Sequence, residues 1–155
     1  MKKESKGTKY KQRTISVWNE VAPFYHKRWA KNEVGPFGVT KKLLELSKIK
    51  KSDTVLDLAC GTGLVTKKLI RKVGSKGQIY AIDSSESAIK IAKKWTGGAK
   101  NLHFIRADAE KVQFETKFDA ITCQYALFFF PNEQKVLKNM KKLLKKEGTI
   151  TLAVH

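Results

Sequence analysis

The sequence predicts an α/β fold built on a doubly wound, Rossmann-like parallel sheet. From residue 53 onward, short apolar segments alternate with amphipathic segments about ten to fifteen residues long. The short segments are apolar at consecutive positions, which is typical of parallel strands buried on both faces. A loop with two glycines follows the first of them directly, at the place where such sheets bind ligands.

Size and composition agree with one globular domain and exclude several classes. The chain has 155 residues, of which 41% are hydrophobic and 30% charged, so it is neither disordered nor collagen-like. Two cysteines are too few for a disulfide scaffold. No apolar run approaches the roughly 18 residues of a membrane span, and no signal peptide is recognisable, so we expect a cytoplasmic protein without a transmembrane segment.

The net charge of +18 comes from 28 lysines and only four arginines. Arginine is the better bidentate ligand for phosphates and base edges, so a dedicated nucleic-acid reader would contain more of it. The lysine excess therefore favours a solvated coat on the surface. Binding to RNA, or to an anionic membrane surface, remains an alternative interpretation of the charge.

Three regions are predicted along the chain. Residues 1–13 are polar and basic and predict a flexible tail. Residues 14–50 predict a helical region, with a helix at 16–30 that Pro23 kinks or splits and a second helix at 37–46 after a Gly/Pro-rich turn. Residues 51–155 predict the α/β domain.

Within this domain each element is assigned from its pattern. Strands are predicted at 54–58, 78–82, 101–106, 118–123 and 149–154. Helices are predicted at 62–73, 86–95 and 132–146, with Gly74 and Gly148 ending the first and the last. Strands that alternate with helices imply a parallel sheet with right-handed crossovers.

The loop VLDLACGTG, residues 55–63, is the most specific stretch. Gly61 and Gly63 let the backbone approach a ligand, and the following helix N-terminus favours an electron-rich group. The dinucleotide fingerprint would need glycines at 59, 61 and 64, but the chain has Ala59 and Leu64 at two of these positions. A phosphate-binding Walker loop lacks its lysine.

VLDLACGTG resembles motif I of class I S-adenosylmethionine-dependent methyltransferases, with Ala59 in place of the first glycine. The resemblance extends to four further segments: IYAIDSS (79–85), IRADAEKVQF (105–114), FDAITCQYALFFF (118–130) and LLKKEGTITL (143–152). Upstream, VWNEVAPFYHKRW (17–29) is similar to the lid segment of the ubiquinone/menaquinone-biosynthesis type. Together these motifs cover nearly the whole chain, so residues 14–50 are assigned to a lid and 51–155 to a cofactor-binding methyltransferase domain.

The resemblance implies a role for each matching residue. Asp57 would orient the loop and face the methionine amino group, and Asp83 would accept hydrogen bonds from both ribose hydroxyls. Ser84 would flank the adenine, and Asp108 would accept from its exocyclic amine. The other residues expected near the cofactor are Ala59, Cys60, Gly61, Gly63, Ala109, Gln124 and Tyr125.

Simpler interpretations stay open beside these roles. Asp57 and Asp83 are also placed to cap helices, with Ser84 or Ser85 sharing that role, and Asp108 is a plausible turn residue. Tyr25 and Trp29 of the lid are either site residues or core aromatics. Cys60 and Cys123 are expected near each other as unpaired packing residues rather than as a redox pair.

The catalytic residues are not identified by the sequence. Tyr25, His26 and Tyr125 are weak candidates, and the three histidines (His26, His103, His155) lack metal-ligand spacing. Methyl transfer from a sulfonium is an in-line displacement that depends mainly on positioning. No metal is expected, because no carboxylate follows the fourth strand to hold one.

The acceptor is predicted to be a small or lipid-like molecule. The segment Gln124-Tyr125-Ala126-Leu127 lacks the Asn/Asp-Pro-Pro-aromatic tetrad that is common in enzymes acting on nucleic-acid bases or glutamine. The alternatives are a non-catalytic cofactor-binding module and an RNA-binding protein or RNA methyltransferase, with RNA not favoured.

The family's sheet has seven strands, in the order 3-2-1-4-5-7-6, whereas this chain ends just after the fifth predicted strand. The sixth and seventh strands are therefore predicted to be absent. Three explanations compete: the chain is a fragment of a longer protein, a partner or second copy covers the fifth strand, or the chain binds the cofactor without turnover.

Overall fold

In a computed structural model that describes residues 6–154, five parallel strands form a sheet with helices on both faces. The strands are β1 (Thr54–Leu58), β2 (Gln78–Asp83), β3 (Leu102–Arg106), β4 (Phe118–Gln124) and β5 (Leu144–Ala153). The helices are α1 (Lys6–Tyr25), α2 (Thr40–Leu46), α3 (Leu64–Val73), α4 (Glu86–Thr96) and α5 (Glu133–Leu143). A π-helical turn (His26–Ala30) and two 3₁₀ turns (Gly35–Val39, Leu127–Phe129) complete the regular structure. None of the described helices is long and apolar enough to cross a membrane.

The strand order is β3-β2-β1-β4-β5, and every pairing is parallel, which confirms the predicted fold class. β1 is central: Asp57 lies opposite Ala81 of β2 and opposite Thr122 of β4. Because all strands run the same way, the loops after β1, β2, β3 and β4 meet at one edge of the sheet. That edge carries the candidate site.

Side chains of β1 alternate between two hydrophobic clusters, one on each face of the sheet. Val55 packs with Leu69 of α3, whereas Leu56 packs with Met140 of α5. All four side chains are fully buried, and burying a side chain of this size contributes roughly 1.5–3 kcal/mol. The two clusters fix the strand that carries Asp57.

The N-terminal helix differs from its prediction. Residues 6–13, which the sequence assigns to a flexible tail, form the first turns of α1, and residues 1–5 lie outside the described part. Local composition does not account for this helix, since its stabilising contacts come from residues distant in the chain. Pro23 lies inside α1, and the irregularity comes after it, as the π-helical turn from His26. The predicted helix at 37–46 likewise begins as a 3₁₀ turn and becomes α-helical at Thr40.

The C-terminal helix is shorter than predicted, because α5 ends at Leu143 and β5 begins at Leu144. Lys145 donates to both carboxylate oxygens of Asp119, at 2.9 and 2.8 Å, and this contact holds the segment against β4. Gly148 does not end a helix but lies within β5, where a Cβ atom would meet the carbonyl oxygen of Phe118 at 2.8 Å. Tertiary contacts therefore override the helical pattern of residues 144–147. β5 lies at one edge of the sheet.

Candidate functional site

A cleft lies at the carboxyl edge of β1, β2, β3 and β4, and one face of α1 covers it. All eleven residues predicted to contact a cofactor line this cleft: Asp57, Ala59, Cys60, Gly61, Gly63, Asp83, Ser84, Asp108, Ala109, Gln124 and Tyr125. They come from the ends of strands and the loops that follow them, and up to 68 positions separate them, from Asp57 to Tyr125. The parallel topology brings them together.

The loop between β1 and α3 is held by backbone hydrogen bonds to β2. The Cys60 amide donates to the Ile82 carbonyl at 2.9 Å, and the Gly61 amide donates to Asp83 Oδ2 at 2.9 Å. Ala59, at the start of the loop, adopts a left-handed backbone conformation with φ of 57°. This conformation is disfavoured for any residue with a Cβ atom, so the loop is strained at the position where the resembling motif has glycine.

We expect Ala59→Gly to stabilise the fold by about 0.5–1 kcal/mol. The left-handed conformation costs about 1–2 kcal/mol for a non-glycine residue, and the greater freedom of glycine in the unfolded chain offsets part of the gain. Urea denaturation measures the difference. Ala81→Gly, in the regular strand β2, is the control and should destabilise; equal destabilisation by both variants would contradict the prediction.

The Asp83 carboxylate anchors the loop and still has acceptor capacity. Its Oδ2 accepts from the Gly61 amide and its Oδ1 from the Ser85 amide at 2.8 Å. Each oxygen of a carboxylate has a second acceptor position. Asp83 lines the cleft, so a ligand in the cleft can reach its remaining acceptor positions. Burial raises the pKa of Asp83, while the backbone donors act in the opposite direction. The cap of α4 is Ser85, whose hydroxyl accepts from the Ala88 amide at 3.1 Å, so Asp83 is not itself the cap.

Asp57 joins three elements below the loop. Its Oδ2 accepts from the Thr66 hydroxyl of α3 at 2.5 Å, and its Oδ1 accepts from the Thr122 hydroxyl of β4 at 3.1 Å. The side chain is 1% exposed, and burial raises its pKa to about 6 against the opposing effect of the two hydroxyls. The two hydroxyls hold the carboxyl group in place, and because a pKa of about 6 is still below 7, the ionised form predominates at neutral pH.

Asp108 is engaged by the helix that covers the cleft. Lys11 Nζ of α1 lies 3.1 and 2.9 Å from its two carboxylate oxygens and 3.1 Å from Glu110 Oε2. Asp108 also accepts from the Glu110 amide at 3.0 Å, which is the turn geometry that the sequence left open. Burial alone would raise the pKa of Asp108, but the hydrogen bonds from Lys11 and the Glu110 amide outweigh it, and the pKa is lowered.

We expect Lys11→Met to destabilise the protein by about 1 kcal/mol at pH 7, the upper end for partly exposed ion pairs. A carboxylate with a lowered pKa stabilises the fold above its ordinary pKa of 3.8 and loses that effect as the pH falls through the lowered value. The difference between variant and parent should thus shrink toward pH 3 in urea denaturation. Lys9→Met, an exposed lysine of the same helix, is the control, and a similar loss there would contradict the prediction.

The end of the cleft beneath α1 is aromatic. Tyr25 makes edge contacts with Trp18, Trp29 and Phe37, with ring centroids 5.2, 5.1 and 5.4 Å apart. Trp18 in turn contacts Phe129 of the loop after β4 at 5.5 Å. Tyr25 lines the cleft, whereas Trp29 packs behind it. Burial, with Tyr125 nearby, raises the pKa of Tyr25 to about 12, so its phenol stays protonated and is a hydrogen-bond donor rather than a base.

His26, a weak catalytic candidate from the sequence, does not line the cleft. Its ring stacks edge-on against Trp95 of α4 with centroids 4.6 Å apart, and burial together with Lys31 and Lys67 lowers its pKa. Cys60 and Cys123 are both free and buried, and burial raises the pKa of both thiols, that of Cys123 to about 12. These thiols are therefore protonated packing groups.

Two polar side chains in the lining lack hydrogen-bond partners within residues 6–154. They are the Thr62 hydroxyl and the Gln124 amide, whose nitrogen and oxygen are both buried. An unsatisfied buried polar group costs about 1–3 kcal/mol, so the cleft is arranged for a ligand that can hydrogen-bond to both. Over the same residues, no group of three or more His, Cys, Asp and Glu side chains is placed to hold a metal ion.

Sequence reasoning missed the contribution of α1 before residue 14. Lys11, Trp18, Ala22 and Tyr25 all line the cleft at spacings of seven, four and three, so they share one helix face. That periodicity was readable, but the polar composition around Lys11 indicated a tail. Asn19 was also missed: its Oδ1 accepts from the Ser85 hydroxyl at 2.8 Å and the Ser87 amide at 3.2 Å, which docks α1 on the start of α4.

Comparison with known proteins agrees with this geometry. Residues 49–155 match the family model described as a methyltransferase domain. The chain is 35% identical over 111 residues to the ubiquinone/menaquinone biosynthesis C-methyltransferase UbiE of Pseudomonas fluorescens, covering 69% of this chain and 43% of the relative. It is 32% identical over 126 residues to a demethylmenaquinone methyltransferase of Staphylococcus aureus, covering 81% and 48%. The chain thus spans about half the length of these curated relatives.

Solved structures show the same architecture. An S-adenosylmethionine-dependent methyltransferase from Aquifex aeolicus superposes with a TM-score of 0.64 at 26% identity, covering 75% of this chain and 65% of the other. The DhpI–SAH complex superposes with a TM-score of 0.77 at 20% identity, covering 97% and 71%, and shows that the likeness of fold includes α1.

Proposed function

The chain belongs to the class I S-adenosylmethionine-dependent methyltransferase family, and on that premise we propose that it transfers a methyl group to a small, lipid-like ring acceptor. S-adenosylmethionine is the cofactor of this family. The observation that carries the proposal is the convergence of Asp57, Asp83 and Asp108 with the unsatisfied Thr62 and Gln124 on one cleft. Such a set offers several hydrogen-bonding groups for a polar nucleoside and for an amino-acid group.

The residues of the cleft fit this cofactor. The free acceptor positions of Asp83 suit two ribose hydroxyls, because a carboxylate can accept from both at once. Ser84, Asp108 and Ala109 also line the cleft, and we assign Ser84 and Ala109 to the flanks of the adenine, with Asp108 as the acceptor for its amine. Thr62, Gln124 and Asp57 would hold the methionine end, and Gln124 and Tyr125 would stand beside the methyl group. Lys11 already donates to the Asp108 carboxylate. To bind the adenine amine, Asp108 must therefore either accept from both groups or release Lys11.

The aromatic end of the cleft supports a flat, apolar acceptor. Trp18, Tyr25, Phe37 and Phe129 present ring edges and faces there, and such a surface packs well against a planar ring. One relative is named as a C-methyltransferase of ubiquinone/menaquinone biosynthesis and the other as a demethylmenaquinone methyltransferase. We therefore propose a reduced quinone as the acceptor class.

The chemistry needs orientation more than acid–base groups. When bound, the cofactor supplies an electrophilic methyl group on a sulfonium, so the carbon–sulfur bond breaks as the bond to the acceptor forms. Positioning can contribute about 7–11 kcal/mol to such a step. Tyr25, protonated at neutral pH, can donate to a ring oxygen and orient the acceptor. The proton displaced from the ring leaves to water.

The test is a cofactor titration followed by a transfer assay. Calorimetry should show micromolar binding of S-adenosylmethionine to the folded chain. Radiolabelled methyl transfer should then occur to a 1,4-naphthoquinol with a short isoprenoid chain and not to its oxidised quinone. No binding by a folded chain would overturn the proposal, and binding without transfer would favour the non-catalytic module.

A matched variant isolates the acceptor end. Trp18→Ala should slow transfer while leaving cofactor affinity within about threefold, because the aromatic cluster stands at the acceptor end.

A salt-dependent titration with RNA addresses the remaining alternative, since phosphate contacts make log affinity fall by about 0.7–0.9 per contact per decade of salt.

A further inference from the structure

Helix α1 carries an apolar stripe on its outer side, formed by Tyr10, Val17, Val21 and Phe24. These side chains are 47%, 47%, 37% and 63% exposed. Their spacings of seven, four and three place them within about 60° of one another around the helix, since each residue advances by about 100°. Contiguous exposed apolar surface of this kind marks an interaction site rather than chance exposure of single residues.

The stripe lies beside the face of α1 that lines the cleft. Each of its members is followed in sequence by a residue that lines the cleft: Lys11, Trp18, Ala22 and Tyr25. One residue corresponds to about 100° around the helix, so the stripe and the cleft-lining face are adjacent on α1. Whatever binds the stripe therefore lies beside the entrance to the aromatic end of the cleft.

Exposed basic residues surround the stripe. Lys6 and Arg13 lie within three or four positions of stripe residues, and Lys9 continues the same side of α1. Lys27 and Arg28 extend the positive charge into the π-helical turn, against a single acidic residue of α1, Glu20. An aromatic and aliphatic stripe flanked by lysine and arginine is the pattern of helices that lie in a membrane interface and bind anionic lipids.

We propose that the stripe of α1 binds the surface of an anionic lipid bilayer, with the helix lying in the plane of the headgroups. The net charge of +18 complements such a surface and repels a second copy of the chain, which disfavours self-association through the same face. RNA would contact the basic residues but would leave Val17 and Val21 exposed. The mouth of the cleft then faces the bilayer, and only the link to a lipid-phase acceptor rests on the proposed function.

Flotation with lipid vesicles tests the surface without any methyl transfer. The full chain should float with phosphatidylcholine vesicles that contain phosphatidylglycerol and not with phosphatidylcholine alone. The double variant Val17→Ser/Val21→Ser should bind at least about tenfold more weakly, because it removes buried apolar area from the interface. Arg13→Gln should weaken binding by about fivefold at low salt, as expected for one charge near an anionic surface.

Controls separate the stripe from general effects. Leu46→Ser replaces an apolar residue of α2 that is 58% exposed and should leave vesicle binding unchanged. Calorimetry with S-adenosylmethionine should give parent-like affinity for the double variant, which shows that the fold and the cleft are intact. If the parent itself does not bind S-adenosylmethionine, this result contradicts the proposed function and leaves the conclusion from vesicle flotation unchanged.

Three outcomes would overturn the proposal. They are no flotation of the parent with anionic vesicles, equal flotation of parent and double variant, and a parent dimer that the double variant dissociates. The second outcome would assign vesicle binding to surface charge alone, and the third would assign the stripe to a second copy of the chain.

Discussion

Asp83→Ala is expected to weaken S-adenosylmethionine binding by about tenfold to a hundredfold, because hydrogen bonds to charged groups contribute roughly 1.5–3 kcal/mol. Asp83 is the carboxylate at the end of β2 whose remaining acceptor positions face the cleft. Calorimetric titration measures the affinity directly. An unchanged affinity in a folded Asp83→Ala protein would contradict the assignment of this residue to the cofactor.

The loss has two sources, since Asp83 also holds the Gly61 amide in place. A thermodynamic cycle with 2′-deoxy-S-adenosylhomocysteine separates them. Removing the ribose hydroxyl should weaken binding to the parent but change little in Asp83→Ala, because the partner is already gone. Additive losses would assign Asp83 to loop support alone.

A second carboxylate provides the matched control. Asp119 resembles Asp83 in accepting from a backbone amide, that of Thr54, and it differs in also accepting from Lys145. It stands near the start of β4, at the opposite edge of the sheet from the cleft. Asp119→Ala should therefore reduce stability without changing the affinity for S-adenosylmethionine.

Gly63→Ala is expected to destabilise the fold by about 1.5–4 kcal/mol, because a net backbone penalty of about 0.5–1 kcal/mol adds to an overpacking penalty of about 1–3 kcal/mol. Gly63 precedes α3 with φ of 92°, and a Cβ atom there would lie 2.9 Å from Ala92 Cβ of α4. Urea denaturation measures the loss, which is a large fraction of the 5–15 kcal/mol typical of a domain.

Two further variants separate the penalties. Gly61 also has a positive φ, of 53°, but a Cβ atom at this position would meet nothing within 4 Å, so Gly61→Ala should cost only the backbone part. Adding Ala92→Gly to Gly63→Ala should recover the overpacking part, seen as a favourable coupling of about 1–3 kcal/mol. Equal losses for Gly61→Ala and Gly63→Ala would show that the close approach of α3 and α4 is not a constraint.

The sheet and its ligand edge were predictable because their signals are local. Strands buried on both faces are apolar at consecutive positions, and the parallel order then places the ends of β1, β2 and β4 together. The resemblance to methyltransferase motifs implies Asp57, Asp83 and Gln124 at these strand ends, and all of them line the cleft. Predicting the location of the cleft required only the type and order of the helices and strands, and not the residues at which each one begins and ends.

The errors arise where distant residues decide the structure. Residues 6–13 are polar, and their helix is stabilised by contacts such as that of Lys11 with Asp108, which no local pattern reveals. Residues 144–147 have a helical pattern, but Lys145 reaches Asp119 and Gly148 approaches Phe118, so the segment joins the sheet. His26 packs against Trp95 of α4 instead of lining the cleft, and this contact also joins residues distant in the chain.

The contacts of α1 also determine when the cleft is completed during synthesis. Lys11 and its partner Asp108 are separated by 97 positions, and Asn19 and Ser85 by 66. At a translation rate of about 5–20 residues per second, roughly 5–20 s pass between the synthesis of Lys11 and the synthesis of Asp108. During that interval the cleft-lining face of α1 lacks its partners from Asp108 onward, including Phe129, which contacts Trp18. A nascent chain arrested before residue 108 should therefore expose α1 to protease, and one released after β5 should protect it.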